Sequence, residues 1–210
     1  MAAAGGHNLL LIGPPGEGKS LLASAMPGIL PRLTDAEKVL LTRIYSASDA
    51  LEKDGQAVTR RPMRSIHHTA SKQSIVGGGT GVPRPGEITM GLYGAREASS
   101  APTEDEVSPK LRARVEAARA RQRERFQGTE IAFNAAIPGG SVIDYCRLSP
   151  AALAHYKATI DANTLSTRSM DRLAKVARTA ADLAESDTTE PEHIDAAARF
   201  VIGGTLRENF

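Results

Sequence analysis

The sequence predicts an α/β fold: a phosphate-loop parallel sheet followed by a C-terminal bundle of helices. Three observations carry that expectation. Leu9-Leu10-Leu11-Ile12 is an apolar run bounded by polar and glycine residues, the form of a buried parallel strand. Gly13-Pro14-Pro15-Gly16-Glu17-Gly18-Lys19-Ser20 follows at once, with the spacing G-x-x-x-x-G-K-S of a phosphate-binding loop. Three segments after residue 148 open with helix-start signals and carry apolar residues at helical spacing.

The loop's residue types have a chemical reason. Gly16 and Gly18 allow the backbone to curl until successive N–H groups point at one anion, with a helix N-terminus behind them. Lys19 is placed to reach the β- and γ-phosphates, and the Ser20 hydroxyl to hold Mg²⁺. The expected nucleotide-binding set is therefore Gly13, Pro14, Pro15, Gly16, Glu17, Gly18, Lys19 and Ser20, with ATP and Mg²⁺ as the cofactors. A glycine-rich turn that matches by chance would lack the flanking strand and helix signals, and both are present.

Leu21 to Met26 reads as the helix after the loop, ending near Pro27-Gly28. Thr34-Asp35-Ala36-Glu37 has the form of a capping box, so a second helix is expected from about Asp35 to Ser46. Residues 84–90 look like a turn leading into a short strand. A polar, low-complexity stretch over 94–109 reads as a linker. Pro109 and Gly128 bracket a helix rich in arginine: Lys110, Arg112, Arg114, Arg119, Arg121, Arg123 and Arg125 stand against Glu116 and Glu124. That face suits either a DNA backbone or plain solvent with Glu–Arg pairing. Residues 129–147 suggest a short strand or irregular connector around Ile131-Ala132-Phe133. Ser149-Pro150, Ser166 and Thr189-Glu190-Pro191 then start the three helices of the bundle.

Composition narrows the class. The chain has 210 residues and a net charge of +2, too near balance to argue for nucleic acid by itself. With aromatics at 4% and no Trp, any core rests on Leu, Ile, Val and Ala. The single cysteine, Cys146, excludes an internal disulfide framework and suits a cytoplasmic location. Leu9–Ile12 is too short for a membrane segment. The five histidines do not form a zinc set: His67 and His68 are adjacent without a Cys or acid at ligand spacing, and His7, His155 and His193 are isolated.

A specific resemblance joins these pieces. Gly5-Gly6-His7-Asn8, the loop, Pro27-Gly28-Ile29-Leu30-Pro31, Arg61-Pro62-x-Arg64-x-x-His67-His68-Thr69, and Gly77-Gly78-Gly79 leading to Pro85-Gly86-Glu87-Ile88 occur in that order. Further on come Arg114-Val115-Glu116-Ala117-Ala118-Arg119-x-Arg121-Gln122-x-x-Arg125-Phe126, Leu165-Ser166-x-Arg168 and Lys175 to Leu183. Together they resemble the magnesium-chelatase-like AAA+ ATPases, competence-protein (ComM/YifB) subfamily, over residues 1 to about 93 and about 106 to 204. The resemblance implies a P-loop AAA+ part over 1–93, the linker at 94–109, and the Arg-rich helix with a helical lid over 110–204. It implies a catalytic role for Lys19 and a sensor-2 role for Arg168, for which a surface arginine paired with Asp171 is the alternative. It also implies an oligomer acting on DNA in recombination, by self-assembly or with full-length family members, and no membrane partner.

The sequence departs from that pattern in its middle. The family's Walker B strand, sensor-1 asparagine and arginine finger have no counterpart between Met90 and Glu106. Asp105-Glu106 lacks an apolar lead, and Val142-Ile143-Asp144 lacks a following glutamate, so neither replaces Walker B. Two readings follow: an ATP-binding family member with little or no hydrolysis, or a non-catalytic scaffold or remnant associating with full-length relatives.

Overall fold

In the computed structural model of the chain, the described residues are 1–47, 57–59, 61–62, 64–65, 77–78, 84–85, 93–94 and 109–205. The chain divides into two compact units. One joins Met1–Leu10 to Lys110–Phe210, and the other is Leu11–Pro109. The His67-His68-Thr69 motif, the run Gly86–Met90 and the pair Asp105-Glu106 lie outside the described residues.

The first unit is helical. Its elements are α1 (Ala2–Gly5), α4 (Pro109–Arg125), α5 (Val142–Cys146), α6 (Pro150–Asn163), α7 (Thr167–Leu183) and α8 (Pro191–Thr205). The helix starts follow the sequence signals. Ser149 Oγ accepts from the Ala152 amide at 3.1 Å, with Pro150 in the first turn. Ser166 Oγ accepts from the Ser169 amide at 3.3 Å. At the head of α8 the Glu190 amide donates to His193 Nδ1 at 2.9 Å, a histidine standing where a capping box places Glu or Gln.

α7 is the centre of this unit. Its apolar stripe, Leu173, Ala174, Val176, Ala177, Ala180 and Ala181, is buried. Small residues let neighbouring helices approach closely. Packed in the same core are Ile194 and Ala197 of α8, Ala152 and Tyr156 of α6, Val142 and Cys146 of α5, with Phe126 and Ile137. Burial pushes the Cys146 thiol up to about 12, despite Arg178, Arg125 and Lys175 nearby, so it stays protonated.

The same helix carries a buried polar cluster on its other edge. Asp182 receives Arg125 Nη1 and Nη2 at 2.8 and 2.7 Å, and Arg178 Nε and Nη2 at 3.2 and 3.0 Å. Asn134, in a 3-10 turn (Asn134–Ala136), donates to Asp182 at 2.8 Å and to Thr179 at 3.0 Å, and accepts from Arg125 at 3.0 Å. Gln122 of α4 closes the cluster, accepting from the Asn134 amide at 3.0 Å. Arg125 Nε finds no acceptor among the described residues; its guanidinium lies over the Phe126 ring at 5.1 Å.

The N-terminal segment docks onto this cluster. Gln122 donates to the Ala4 carbonyl at 3.0 Å, and Arg119 to the Ala3 carbonyl at 3.1 and 3.3 Å. His7 Nε2 lies 2.8 Å from Thr179 Oγ1. Because that hydroxyl already donates to the Lys175 carbonyl, it accepts from His7, which assigns the His7 proton to Nε2. Gly5 and Gly6 are sterically required here. A Cβ on Gly5 would lie 2.4 Å from Thr179 Oγ1, and one on Gly6, whose φ is +69°, would meet the Phe133 ring at 2.5 Å.

In the second unit, α2 (Lys19–Ile29) and α3 (Asp35–Ala47) are the described helices. α2 continues through Pro27 to Ile29, about one residue past its expected stop. The capping box of α3 forms as expected: the Glu37 amide donates to Thr34 Oγ1 at 3.3 Å, and the Thr34 amide to Glu37 Oε2 at 2.7 Å. Arg61 then fastens it, bonding Glu37 at 3.0 Å and the Pro31 carbonyl at 2.7 Å.

The α/β expectation is corrected by the structure, whose described part is helical, without the predicted parallel sheet. The described strands are two-residue pairings. β1 (Arg64–Ser65) pairs in parallel with β4 (Tyr93–Gly94), and β2 (Gly77–Gly78) antiparallel with β3 (Arg84–Pro85). Leu9–Ile12 belongs to none of them. Leu9, Leu10 and Ile12 are 51, 80 and 56% exposed, the reverse of a buried strand. A strand exists only where a neighbour takes up its N–H and C=O groups, and no other described residue does so for this run. Of the short strand or irregular connector expected over 129–147, the structure has the connector: 131–133 are in no regular element, and 3-10 turns and α5 follow.

Two outcomes follow for stability. Arg125→Ala should cost about 3 kcal/mol in urea denaturation, the lower end for breaking a buried ion pair because Arg178 still holds Asp182. Exposed Arg123→Ala should stay within about 0.5 kcal/mol, and equal losses would contradict this packing. His7 provides a pH dependence. Burial, then the Met1 amine, Arg119 and Lys175, push it from 6.5 down to about 4. The unfolded chain therefore takes up its proton first. Stability complete above pH 6.5 should be lost as pH falls through about 4, by roughly 3 kcal/mol from this residue. His7→Gln should remove that part of the slope.

Candidate phosphate-binding loop

The loop forms from local backbone preferences. Pro14 and Pro15 fix their own φ near −65°, and Pro15-Gly16 makes a turn. Gly16 follows with φ +87°, Glu17 has a negative φ, and Gly18 returns to +76° as the N-cap of α2. Alternation of positive and negative φ along Gly16, Glu17 and Gly18 can turn successive N–H groups to one side, the form of an anion-binding concavity. A Cβ on Gly16 or Gly18 would meet nothing within 4 Å, so the glycines are required by conformation and not by crowding.

The groups that would meet an anion are available. No amide from Gly13 to Leu21 donates to another described residue; the first such bond is Leu22 N–H to the Gly18 carbonyl at 2.9 Å. Ser20 is exposed; its carbonyl accepts from Ser24 Oγ at 2.7 Å, and its hydroxyl has no partner among the described residues. Lys19 Nζ folds back and donates to the Pro14 carbonyl. Free amides, a cation on a flexible stem and a free hydroxyl fit the phosphates and metal of a Mg-nucleotide.

The acids of this unit fit less well to hydrolysis. Among its described residues they are Glu17, Asp35 and Glu37. Asp35 pairs with Lys38 at 2.8 Å. Burial alone would raise the Glu37 carboxyl, but Thr34 and Arg61 hold it below its ordinary range, and these bonds commit it to the α3 cap. Asp144 is exposed on the five-residue helix α5, in the other unit.

Arg168 also belongs to that other unit. It is exposed in the first turn of α7 and pairs with neither Asp171 nor any other described carboxylate.

The Arg-rich helix, α4, directs much of its charge inward. Arg125 and Arg119 bind the cluster and the N-terminal segment, with Arg119 also over the Phe133 ring at 4.8 Å. Arg121 pairs with Asp187 at 2.9 Å. Lys110, Arg114 and Arg123 are exposed. Sequence reasoning missed the buried role of Gln122 on this helix and missed Asn134 and Asp182 as the helix's partners. The available signal was Arg178, Thr179 and Asp182 on α7, interleaved in sequence with its apolar residues.

Comparison with known proteins places the chain. Residues 1–181 match the family described as magnesium chelatase, subunit ChlI, and the chain belongs to that family. Among its relatives, the uncharacterized protein YifB of Salmonella typhimurium is 50% identical over 96 residues. Competence protein ComM of Haemophilus influenzae is 46% identical over 94 residues. An uncharacterized protein of Mycobacterium tuberculosis is 44% identical over 94. Each alignment covers 45% of this chain but only 18 or 19% of the relative. No helix among the described residues is long and apolar enough to cross a membrane.

The inward arginines can be told from the outward ones. Arg119→Ala should cost about 1–2 kcal/mol, from its bonds to Ala3 and its stacking on Phe133. Arg114→Ala should cost under about 0.5 kcal/mol in the same denaturation assay.

Proposed function

We propose that this chain is a nucleotide-binding member of the family, taking Mg-ATP or Mg-ADP in the loop Gly13–Ser20 with little or no hydrolysis. The observation that carries it is the Gly16–Glu17–Gly18 alternation with the loop's amides unspent. The N–H groups hold phosphate oxygens, Lys19 leaves the Pro14 carbonyl to neutralise them, and the Ser20 hydroxyl ligates the metal. The bound metal supplies charge neutralisation across the phosphates. Arg168 contributes a lid-side cation in this reading, with 1–93 less the docked residues 1–10 as the nucleotide part, 94–109 as linker and 110–204 as lid.

Slow turnover follows from the acids. Water must be oriented and the metal held in line for phosphoryl transfer. Among the described acids of this unit Asp35 and Glu37 are committed elsewhere, which leaves Glu17 inside the loop itself. A competence or DNA-processing role rests on the family and on the name of the Haemophilus relative, and self-assembly or assembly with full-length relatives rests on the family alone. Direct DNA contact by 110–126 falls to Lys110, Arg114 and Arg123, enough for only a shallow salt dependence. A cytoplasmic setting agrees with the buried, protonated Cys146.

Nucleotide at about a hundred times its dissociation constant should stabilise the chain by roughly 2.7 kcal/mol. Lys19→Ala should abolish that shift, while phosphate release stays well below about one per second. A melting curve indifferent to saturating Mg-ADP would refute the binding, and a Lys19-dependent rate above that limit would refute the slow turnover.

A further inference from the structure

From Met1 to Thr34 the chain has a single carboxylate, and it stands in the middle of the anion-binding loop. Glu17 is exposed and makes no hydrogen bond or ion pair with any described residue. Its side chain folds back across the loop: a Cβ built on Gly13 would lie 2.4 Å from Glu17 Oε2 and 3.9 Å from Lys19 Cδ. Lys19 Nζ is turned to the Pro14 carbonyl. Both charged side chains of the loop thus lie against its first two residues, and the negative one has no hydrogen-bond or ion-pair partner among the described residues. A nest of free amides attracts any anion, whatever its charge. An uncompensated carboxylate beside it repels each ligand in proportion to the ligand's charge.

We propose that Glu17 is a charge filter, a specificity-determining residue that favours metal-complexed nucleotide over free nucleotide at this loop. The inference rests on the phosphate-binding reading above and refines it. Complexation by a divalent cation removes about two units of ligand charge, and so about half the repulsion of free ATP. Lys19 alone would act in the opposite sense, rewarding the more highly charged free form. Glu17 offsets that reward from within four residues of Gly13.

The test measures binding of ATP with excess Mg²⁺ and with a chelator, by the full chain and by Glu17→Gln, Glu17→Asp and Lys19→Ala. Glu17→Gln should tighten free ATP by roughly tenfold and Mg-ATP by only about threefold, the square-root relation expected when the ligand charge is halved. Glu17→Asp, which retains the charge, should keep the wild-type preference. Added salt should narrow the difference between wild type and Glu17→Gln. Equal tightening of both ligand forms, no change, or weaker binding in Glu17→Gln would overturn the filter while leaving the phosphate site intact. If neither wild type nor Glu17→Gln binds either form better than Lys19→Ala, the phosphate-binding reading falls, and the filter with it. Glu17 makes no bond to a described residue, so a circular-dichroism melt without nucleotide should be the same for wild type and both Glu17 variants.

Discussion

The helical unit depends on one buried carboxylate. Asp182 is about 1% exposed, a position no isolated ion would tolerate, and it is held there by two guanidinium groups and the Asn134 amide. Each partner brings a different part of the chain. Arg125 brings the end of α4, Asn134 brings the 3-10 turn, and Arg178 reaches on to the carbonyls of Ser186 and Asp187. Through Thr179 the same cluster holds His7, and through Gln122 it holds both Ala4 and Asn134. Apolar packing along α7 supplies the bulk of the burial. The directional bonds around Asp182 decide which segments pack there and in what register.

What was legible in the sequence was what depends on neighbours along the chain. Ser149, Ser166 and the Thr34–Glu37 box mark helix starts because a cap bonds within three residues of itself. The loop's glycines announce their φ values for the same reason. Leu9–Ile12 was misread because a strand is a relation to other strands, and four apolar residues do not carry their partner with them. The arginines of α4 posed a similar problem. Their number was plain, but whether each faces solvent, a ring or a carboxylate depends on residues up to 116 positions away.

The loop and the lack of a parallel sheet among the described residues are reconciled by the same distinction. An anion nest needs a few dihedral angles and a helix behind it, and Gly16, Gly18 and α2 supply them without a ladder of strands. Local geometry therefore shapes the loop's anion-binding concavity. Acids are placed by contacts of a different kind, and here Asp35 is paired with Lys38 while Glu37 caps α3.

The helical unit is assembled from two separated stretches, residues 1–10 and 110–210. The 99 residues of Leu11–Pro109 thus form a closed excursion between two points anchored on one body. The entropic cost of closing such an excursion grows only with the logarithm of its length, about 0.6 kcal/mol for each doubling. Insertion or loss of tens of residues within it changes the stability of the helical body by a fraction of a kcal/mol. Evolution is free to lengthen, shorten or gut that excursion, so long as Gly5, Gly6 and His7 keep their seat against α7.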